Sequence, residues 1–480
     1  MKVLLVANPR TVMGFNRLTK LPNLGLASLA ANVDEGVADV RIADLVLRQK
    51  NPRKALLQIL DEFRPSVAGF SAMSFQYQQA LDLMKVVRKQ YPAIKIILGG
   101  YHATADGDNI LSGQDSEFVD CIIDGEGELP FRALLKAMKQ GHDFEQVPGI
   151  WFRRNGRLIK TSREKLLQPE DIRIPKRTAR IFQKGFHILG QPADVIETSR
   201  GCVYDCNFCS IRNMYGRSFR KFSVERILTD LEDAKRSGAK SIFITDDNIT
   251  LDGKRLLKLC DEITASKLNL TFAVQASVRG FRKTPDLAKA MARAGTRIVF
   301  LGIENAADSA LEFMHKSNQL ESDDTIEVVR ELKQFGIMVV GGFIFGHPDD
   351  NEQTLIDNFE FAKKLRIDIQ LFNILTPHLQ TELREEMLKL GLVTNPDDYT
   401  RYNHYAANVK TRHLTADELH RIRDSLDARF PVESGAIFRL LKAYPLYITT
   451  LILKMILTEP KNWVKFVASA LIPNHKKICS

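Results

Sequence analysis

Three of the six cysteines fall within eight residues, in the segment Arg200-Gly201-Cys202-Val203-Tyr204-Asp205-Cys206-Asn207-Phe208-Cys209. Thiolates this close together on one loop are soft ligands suited to zinc or to iron–sulfur chemistry. Three of them can hold three irons of a 4Fe–4S cluster and leave the fourth iron open to a small molecule. Structural zinc wants four ligands, usually from two paired clusters. No second Cys/His pair follows at suitable spacing, and His187 stands alone upstream. Unrelated buried thiols are a third reading, disfavoured because all three cysteines come directly after a strand-like run. The spacing therefore favours a 4Fe–4S cluster on Cys202, Cys206 and Cys209.

The elements that must position this loop are legible as two runs of alternating strand and helix. In residues 1–145, strands are expected at 2–7, 40–45, 67–74, 94–100 and 121–124. Helical periods lie between them, as at 76–89 with Ala80, Leu83, Met84 and Val87 on one face. Such units build a doubly wound parallel sheet, which binds its ligand beyond the carboxyl ends of its strands. The loops there are Asn8-Pro9-Arg10, Ser71 to Ser74, Gly99-Gly100-Tyr101-His102 and Gly125-Glu126-Gly127-Glu128, with glycines that let backbone approach a flat or bulky ligand. Residues 146–190 read as a linker and hairpin, with Pro148, Pro169, Pro175 and Asn155-Gly156. Residues 191–395 resume the alternation, with strands at 195–198, 241–245, 270–276, 297–303, 338–345 and 369–374. Helices are expected between them at 224–237, 254–265, 285–294, 324–335 and 353–365. That pattern predicts a partial or complete parallel barrel, whose site lies where the strands end. The cysteine loop follows the first of these strands. Residues 396–480 read as helical. The fold class is thus α/β, two parallel-sheet units with a helical extension.

At 44% apolar and 26% charged residues the chain folds around real cores, which excludes disordered and collagen-like classes. Six cysteines in 480 residues are too few for a disulfide framework, so a reducing cytoplasm is expected. The net charge is +10, and from Glu433 onward seven Lys/Arg face two Asp/Glu. The same stretch interleaves aromatics, leucines and lysines, with Pro445 and Pro460 dividing it. Such short helices can lie on an anionic membrane surface, or simply pack on the barrel with their lysines solvated. No run reaches the ~18 apolar residues of a spanning helix; residues 444–457 are broken by Pro445 and Lys454. The expectation is a cytoplasmic protein with peripheral membrane attachment on the inner face. A basic apolar tail is a poor nucleic-acid groove, so a zinc-containing nucleic-acid module is the distant alternative.

The C-x3-C-x2-C spacing, with an aromatic before the last cysteine, resembles the radical S-adenosylmethionine (SAM) superfamily. That resemblance implies that Phe208 packs near the adenine of SAM and that Asp246, Asp247 and Asn248 hold its methionine amino group. A helix N-cap is the competing role for Asp247 and Asn248. Glu304, in Gly302-Ile303-Glu304, resembles the family's acid that contacts SAM. Gln275, Ser277 and Arg279 are similar to its polar residues around ribose and carboxylate. Gly342-Phe343-Ile344-Phe345-Gly346 looks like the glycine-rich strand along which adenine lies. The implied chemistry is reductive cleavage of SAM to a 5′-deoxyadenosyl radical in an enclosed barrel, with a one-electron donor such as flavodoxin or ferredoxin.

The first region resembles the cobalamin-binding domain that precedes the barrel in one subgroup of that superfamily, the class B methyltransferase-like and anaerobic cyclase-like enzymes. The matching pieces are Leu21-Pro22-Asn23-Leu24-Gly25-Leu26, Gly99-Gly100-Tyr101-His102-Ala103-Thr104 and Asp124-Gly125-Glu126-Gly127-Glu128. The resemblance implies cobalamin contacts from Asn8, Ser71, Ser74, Gly99, Gly100, Tyr101, His102, Gly125, Glu126 and Gly127. The chain departs from cobalamin proteins that supply a His to cobalt through Asp-x-His-x-x-Gly, because Asp44 is followed by Leu45 and Val46. His102 could replace that ligand, although a loop histidine more often packs locally. A second departure is Thr376-Pro377-His378-Leu379-Gln380-Thr381, where the family often has Thr-Pro-x-Pro-Gly-Thr. The implied activity is cobalamin-dependent methylation of an unactivated carbon in a small hydrophobic or lipid-like substrate. Radical cyclisation, ring rearrangement or oxidation without methyl transfer is the alternative.

Overall fold

Five parallel strands open the chain: β1 (Lys2–Ala7), β2 (Asp39–Asp44), β3 (Val67–Ser71), β4 (Lys95–Gly99) and β5 (Cys121–Ile123). The computed structural model describes residues 1–9, 18–316 and 322–458. Arg10, Cys479 and residues 459–480 of the basic tail lie outside the described residues. β1, β3, β4 and β5 are apolar through their interiors because both faces of the sheet are covered, while β2, at the sheet edge, keeps Asp39 and Arg41 exposed. Leu4 and Val6 join one core cluster with Phe70 and Leu98, while Val3, Leu5 and Ala7 join another with Ile123 and Phe131. The hairpin β6 (Ile150–Arg154) and β7 (Arg157–Lys160) turns through Asn155 and Gly156, both at positive φ. It does not stand apart as a linker: β6 pairs antiparallel with β5, giving the order β2-β1-β3-β4-β5-β6-β7. Burial of Ile150 and Phe152 in the second cluster draws it onto the sheet.

Register aligns the ligand end of this sheet. Ala7 lies opposite both Asp44 and Ser71, and Ser71 lies opposite Gly99. The loops after β1, β3, β4 and β5 therefore leave one common edge.

The second sheet runs β8 (Gln191–Ile196), β9 (Ser241–Ile244), β10 (Thr271–Ser277), β11 (Thr296–Glu304), β12 (Met338–Phe345) and β13 (Ile369–Ile374), parallel and in sequential order. This is a six-stranded partial barrel. Its β8 edge is extended antiparallel by His187–Ile188 and then by Thr19–Lys20, so the first region contributes to the second sheet. A buried ion network reinforces the junction. Arg177 donates to Asp194 (3.1 Å) on β8 and to Asp230 (2.6 Å) on the helix Val224–Arg236, and Arg180 grips Asp194 with two bonds of 2.7 and 2.9 Å.

Helix α1 (Ala416–Glu433) packs Phe430 edge-on against Phe359 and Phe372 of the barrel. Two shorter helices follow, α2 (Ala436–Ala443) and α3 (Pro445–Thr458). Arg439 binds Asp368 at 2.8 Å, and Tyr447 covers Gly190, where a Cβ would lie 2.6 Å from its ring. The tail thus packs on the barrel with one side. On the other, Phe438, Leu446 and Leu453 are 67%, 84% and 54% exposed. Among the described residues no single helix is long and apolar enough to cross a membrane; α2 and Pro445–Leu453 together pass by composition but are bent by 119°.

Candidate functional site

The cysteine loop leaves the top of β8 and is fixed there by β9. Thr198 donates its backbone N–H (2.6 Å) and hydroxyl (2.5 Å) to Asp246, and the Ser199 hydroxyl adds a third bond of 2.5 Å. Burial raises the Asp246 carboxyl against these bonds. With 1% exposure and both oxygens engaged, this residue holds the root of the loop. Asp247 accepts from Gly201 N–H at 2.9 Å, and burial pushes its carboxyl up to about 6. Asn248 takes the capping role, accepting from Thr250 N–H at 3.2 Å and Thr250 Oγ1 at 2.8 Å. Gly201 has φ +87°, and a Cβ there would lie 2.3 Å from Ser218 O, so only glycine makes this turn.

Beyond the turn, Cys206 is buried and Cys202 and Cys209 are half-buried, all as free thiols. Burial raises all three, Cys206 and Cys209 up to about 11, with the Lys316 ammonium opposing it. Among the described residues no three His, Cys, Asp or Glu side chains converge on one metal ion, as a mononuclear zinc site requires. A four-iron cluster takes each thiolate on a separate iron, and three cysteines on one loop supply that donor set.

Around the loop stand the residues expected to contact SAM. Phe208 packs on the barrel core with the Lys316 ammonium 5.7 Å from its ring, and Lys316 pairs with Glu304 at the end of β11. Glu304 is 9% exposed and sits at φ +64°, outside ordinary strand geometry. Arg279 lies 5.7 Å from the ring of Tyr204, inside the cysteine loop. Ser277 caps the helix Val278–Arg282 and meets Thr250 Oγ1 at 3.2 Å, while Gln275 is half-buried on β10. The two barrel glycines are different. A Cβ on Gly342 would lie 2.7 Å from Phe300 Cζ, and one on Gly346 about 3 Å from Leu419 and Val409. Their flat faces are filled by the protein's own side chains, because register sets Phe300 diagonally across from Gly342.

A cavity of about 370 Å³ lies between the two units. The first sheet supplies Gly25, Ser71, Gly99, Gly100, Gly125, Glu126 and Gly127, with Leu5, Ile97 and Phe131 behind them. The barrel supplies Glu197, Ser199, Arg200, Tyr215, Thr245 and Asp247. Glycine at a shared strand edge leaves room for a flat ring system, so these residues fit a corrin. The other four residues expected there lie outside this wall. Asn8 donates to Ser71 O at 2.7 Å, and the Tyr101 hydroxyl donates to Leu379 O at 2.7 Å. Ser74 meets His102 at 3.3 Å. His102 is fully buried between Tyr77 and Tyr399, ring centroids 4.3 and 4.7 Å away, and burial pushes its imidazole down to about 3. It is a packed core histidine outside the cavity lining.

Three residues of this site carry little or no local signal. Arg200 is 6% exposed and donates to Glu197 (2.7 and 2.8 Å), to Glu128 (2.8 Å) and to Glu126. Lys316 and Tyr215 likewise become visible only in the fold. The position of Arg200 two residues before Cys202 was the one available hint.

Residues 196–362 match the radical SAM superfamily and residues 10–135 match the B12 binding domain. An uncharacterized methyltransferase of Pyrococcus horikoshii is 31% identical over 426 residues, 88% of this chain and 90% of its own length. The chain belongs to the cobalamin-binding radical SAM family. The hopanoid C-3 methylase of Methylococcus capsulatus is 28% identical over 389 residues, covering 80% of this chain and 72% of its own. In fold, the cobalamin-dependent SAM radical enzyme OxsB, with aqua-cobalamin and SAM bound, superimposes with a TM-score of 0.73 at 19% identity, over 97% of this chain and 74% of that one. As a member of this family the protein is an enzyme whose cofactors are a 4Fe–4S cluster, SAM and cobalamin.

Proposed function

We propose that this enzyme methylates an unactivated carbon of a hydrophobic, lipid-like substrate drawn from a membrane surface. The observation that carries the reading is the single cavity in which the glycines of the first sheet face Asp247 and Ser199, at the root of the cysteine loop. Cys202, Cys206 and Cys209 would hold the cluster. Asp247 and Glu304 would face the ammonium and ribose side of SAM, with Phe208, Gln275, Ser277 and Arg279 around them. Gly99, Gly100, Gly125 and Gly127 would take the corrin edge. With these groups bound, one electron from a flavodoxin- or ferredoxin-class donor would let the cluster draw a hydrogen-abstracting radical from one SAM, and cobalamin would supply a methyl group taken from a second SAM. The chain's own task is to keep the three groups within one enclosed space and to exclude water from it.

The substrate class rests on the tail and on one relative. Phe438, Leu446 and Leu453 project from a segment rich in lysine, the composition of a helix lying at an anionic interface. The relative named a hopanoid C-3 methylase matches over 80% of this chain. The test is to incubate the anaerobically reconstituted enzyme with trideuteromethyl-SAM and a membrane lipid extract. A lipid gaining an intact trideuteromethyl group supports the reading, whereas a lipid losing hydrogen without label would assign cyclisation or oxidation. Cosedimentation with phosphatidylglycerol vesicles should be lost when Phe438, Leu446 and Leu453 are all changed to Ser. Unchanged partitioning would return the tail to packing alone.

A further inference from the structure

Glu126 has two arginine partners, and they occupy opposite ends of the cluster loop. Ser199–Arg200 and Arg220–Lys221 form a two-stranded antiparallel ribbon in which Arg200 lies directly opposite Arg220. The loop between them, residues 201–219, carries all three clustered cysteines. Arg220 donates to both oxygens of Glu126, at 3.1 and 2.9 Å, and to Leu167 O at 2.6 Å. Arg200 donates to the same carboxylate and to Glu128, which also accepts from Ser28 Oγ at 2.6 Å. Like charges directly opposite in an antiparallel pair repel, and here both are nearly buried, with side chains 7% and 11% exposed. Nothing within the ribbon itself neutralises that pair. Arg200 is compensated in part by Glu197 just after β8, but the one carboxylate that both arginines share, Glu126, comes from the first sheet, 74 and 94 residues earlier in the chain.

We propose that Glu126 is a positioning residue for the iron–sulfur cluster. By clamping both ends of the cysteine loop, the first domain sets the conformation in which the three thiolates meet the cluster, and a loop assigned by resemblance to cobalamin also organises the neighbouring cofactor. Charge-assisted bonds to one carboxylate fix the ribbon's spacing as well as its presence. Glu128 and Glu197 still compensate Arg200 when Glu126 is neutral, so the lesion falls on Arg220 and on the pairing of the ribbon.

This inference rests on the family reading that the cysteines hold a cluster, and the wild-type protein tests that reading separately through its iron content. The experiment compares Glu126→Gln, Arg220→Gln and the double variant after anaerobic reconstitution with iron and sulfide. Iron retained through gel filtration in competition with a chelator should fall about tenfold in each single variant, the range typical of lost partners behind metal ligands. The electron paramagnetic resonance spectrum of the reduced cluster should broaden in both. In the double variant the unpaired charge is gone, so its iron retention should lie above the product of the two single losses. Arg173→Gln, which removes a side-chain tether from Arg173 to Asp34 that involves neither Glu126 nor Arg220, is the comparator for simple loosening of the first domain; its spectrum should match wild type. A wild-type spectrum and iron content in Glu126→Gln would overturn the proposal, as would strict additivity in the double variant. If Glu126→Gln does not fold, Arg220→Gln alone decides, because it leaves the first domain intact.

Discussion

Glycines sit on or at the end of parallel strands in both units, with opposite outcomes. Gly99, which ends β4 of the first sheet, borders the interdomain cavity, and a Cβ there would meet only Ile123, at 3.7 Å. Gly342 and Gly346, on the barrel's fifth strand, are covered by Phe300 and by Leu419 and Val409. A glycine on a strand therefore marks close approach without saying what approaches. In the first sheet the space is left for a ligand. At Gly342 and Gly346 it is taken by the chain itself.

The comparison is broken most strongly by filling the open side. Gly99 has an ordinary φ, and a Cβ there meets only Ile123 Cβ at 3.7 Å, so Gly99→Leu should fold. Its branched side chain should occupy the cavity and lower cobalt retained on reconstitution by about tenfold or more. Unchanged cobalt by metal analysis would place the corrin elsewhere. The closed side should respond in the opposite way. Gly342→Ala brings a methyl group against Phe300 and should cost about 1–3 kcal/mol of unfolding free energy, with iron and cobalt unchanged. Weakened SAM binding without lost stability would show that this glycine serves a ligand after all.

The smallest effect concerns Asp44, in register with Ala7 on the same sheet edge but outside the cavity wall. Burial pushes its carboxyl up to about 6, against a hydrogen bond from Asn23 N–H and the charge of Arg180. The folded state thus holds this proton to higher pH than the unfolded chain does. Its contribution is present below the ordinary carboxylate pKa and is lost as pH rises through about 6. Urea unfolding at about pH 4.5 and about pH 7 should therefore show Asp44→Asn gaining on wild type by about 1–3 kcal/mol between the two. A constant difference would mean that the native site already solvates the charge.

What was legible in the sequence follows the range of the interactions. The cysteine spacing, the βα alternation and the glycines after β4 and β5 are local, and the structure puts each in its expected element. His102 misled because a loop histidine beside two glycines looks available, whereas Tyr399, almost 300 residues later, closes over it. The filling of Gly342 depends on the register of β11 against β12, which no single segment specifies. Glu126 was identified as a site residue for its neighbours Gly125 and Gly127. Its arginine partners lie across a domain interface, and no spacing rule reaches that far.

The central claim is that one cavity brings the corrin beside the cluster. The most direct test is iron and cobalt content per chain after anaerobic reconstitution with iron, sulfide and hydroxocobalamin, followed by gel filtration. The account predicts stoichiometric cobalt together with one full four-iron cluster, and loss of the cobalt but not the iron in Gly99→Leu. A full cluster with no cobalt in the wild-type protein would contradict it.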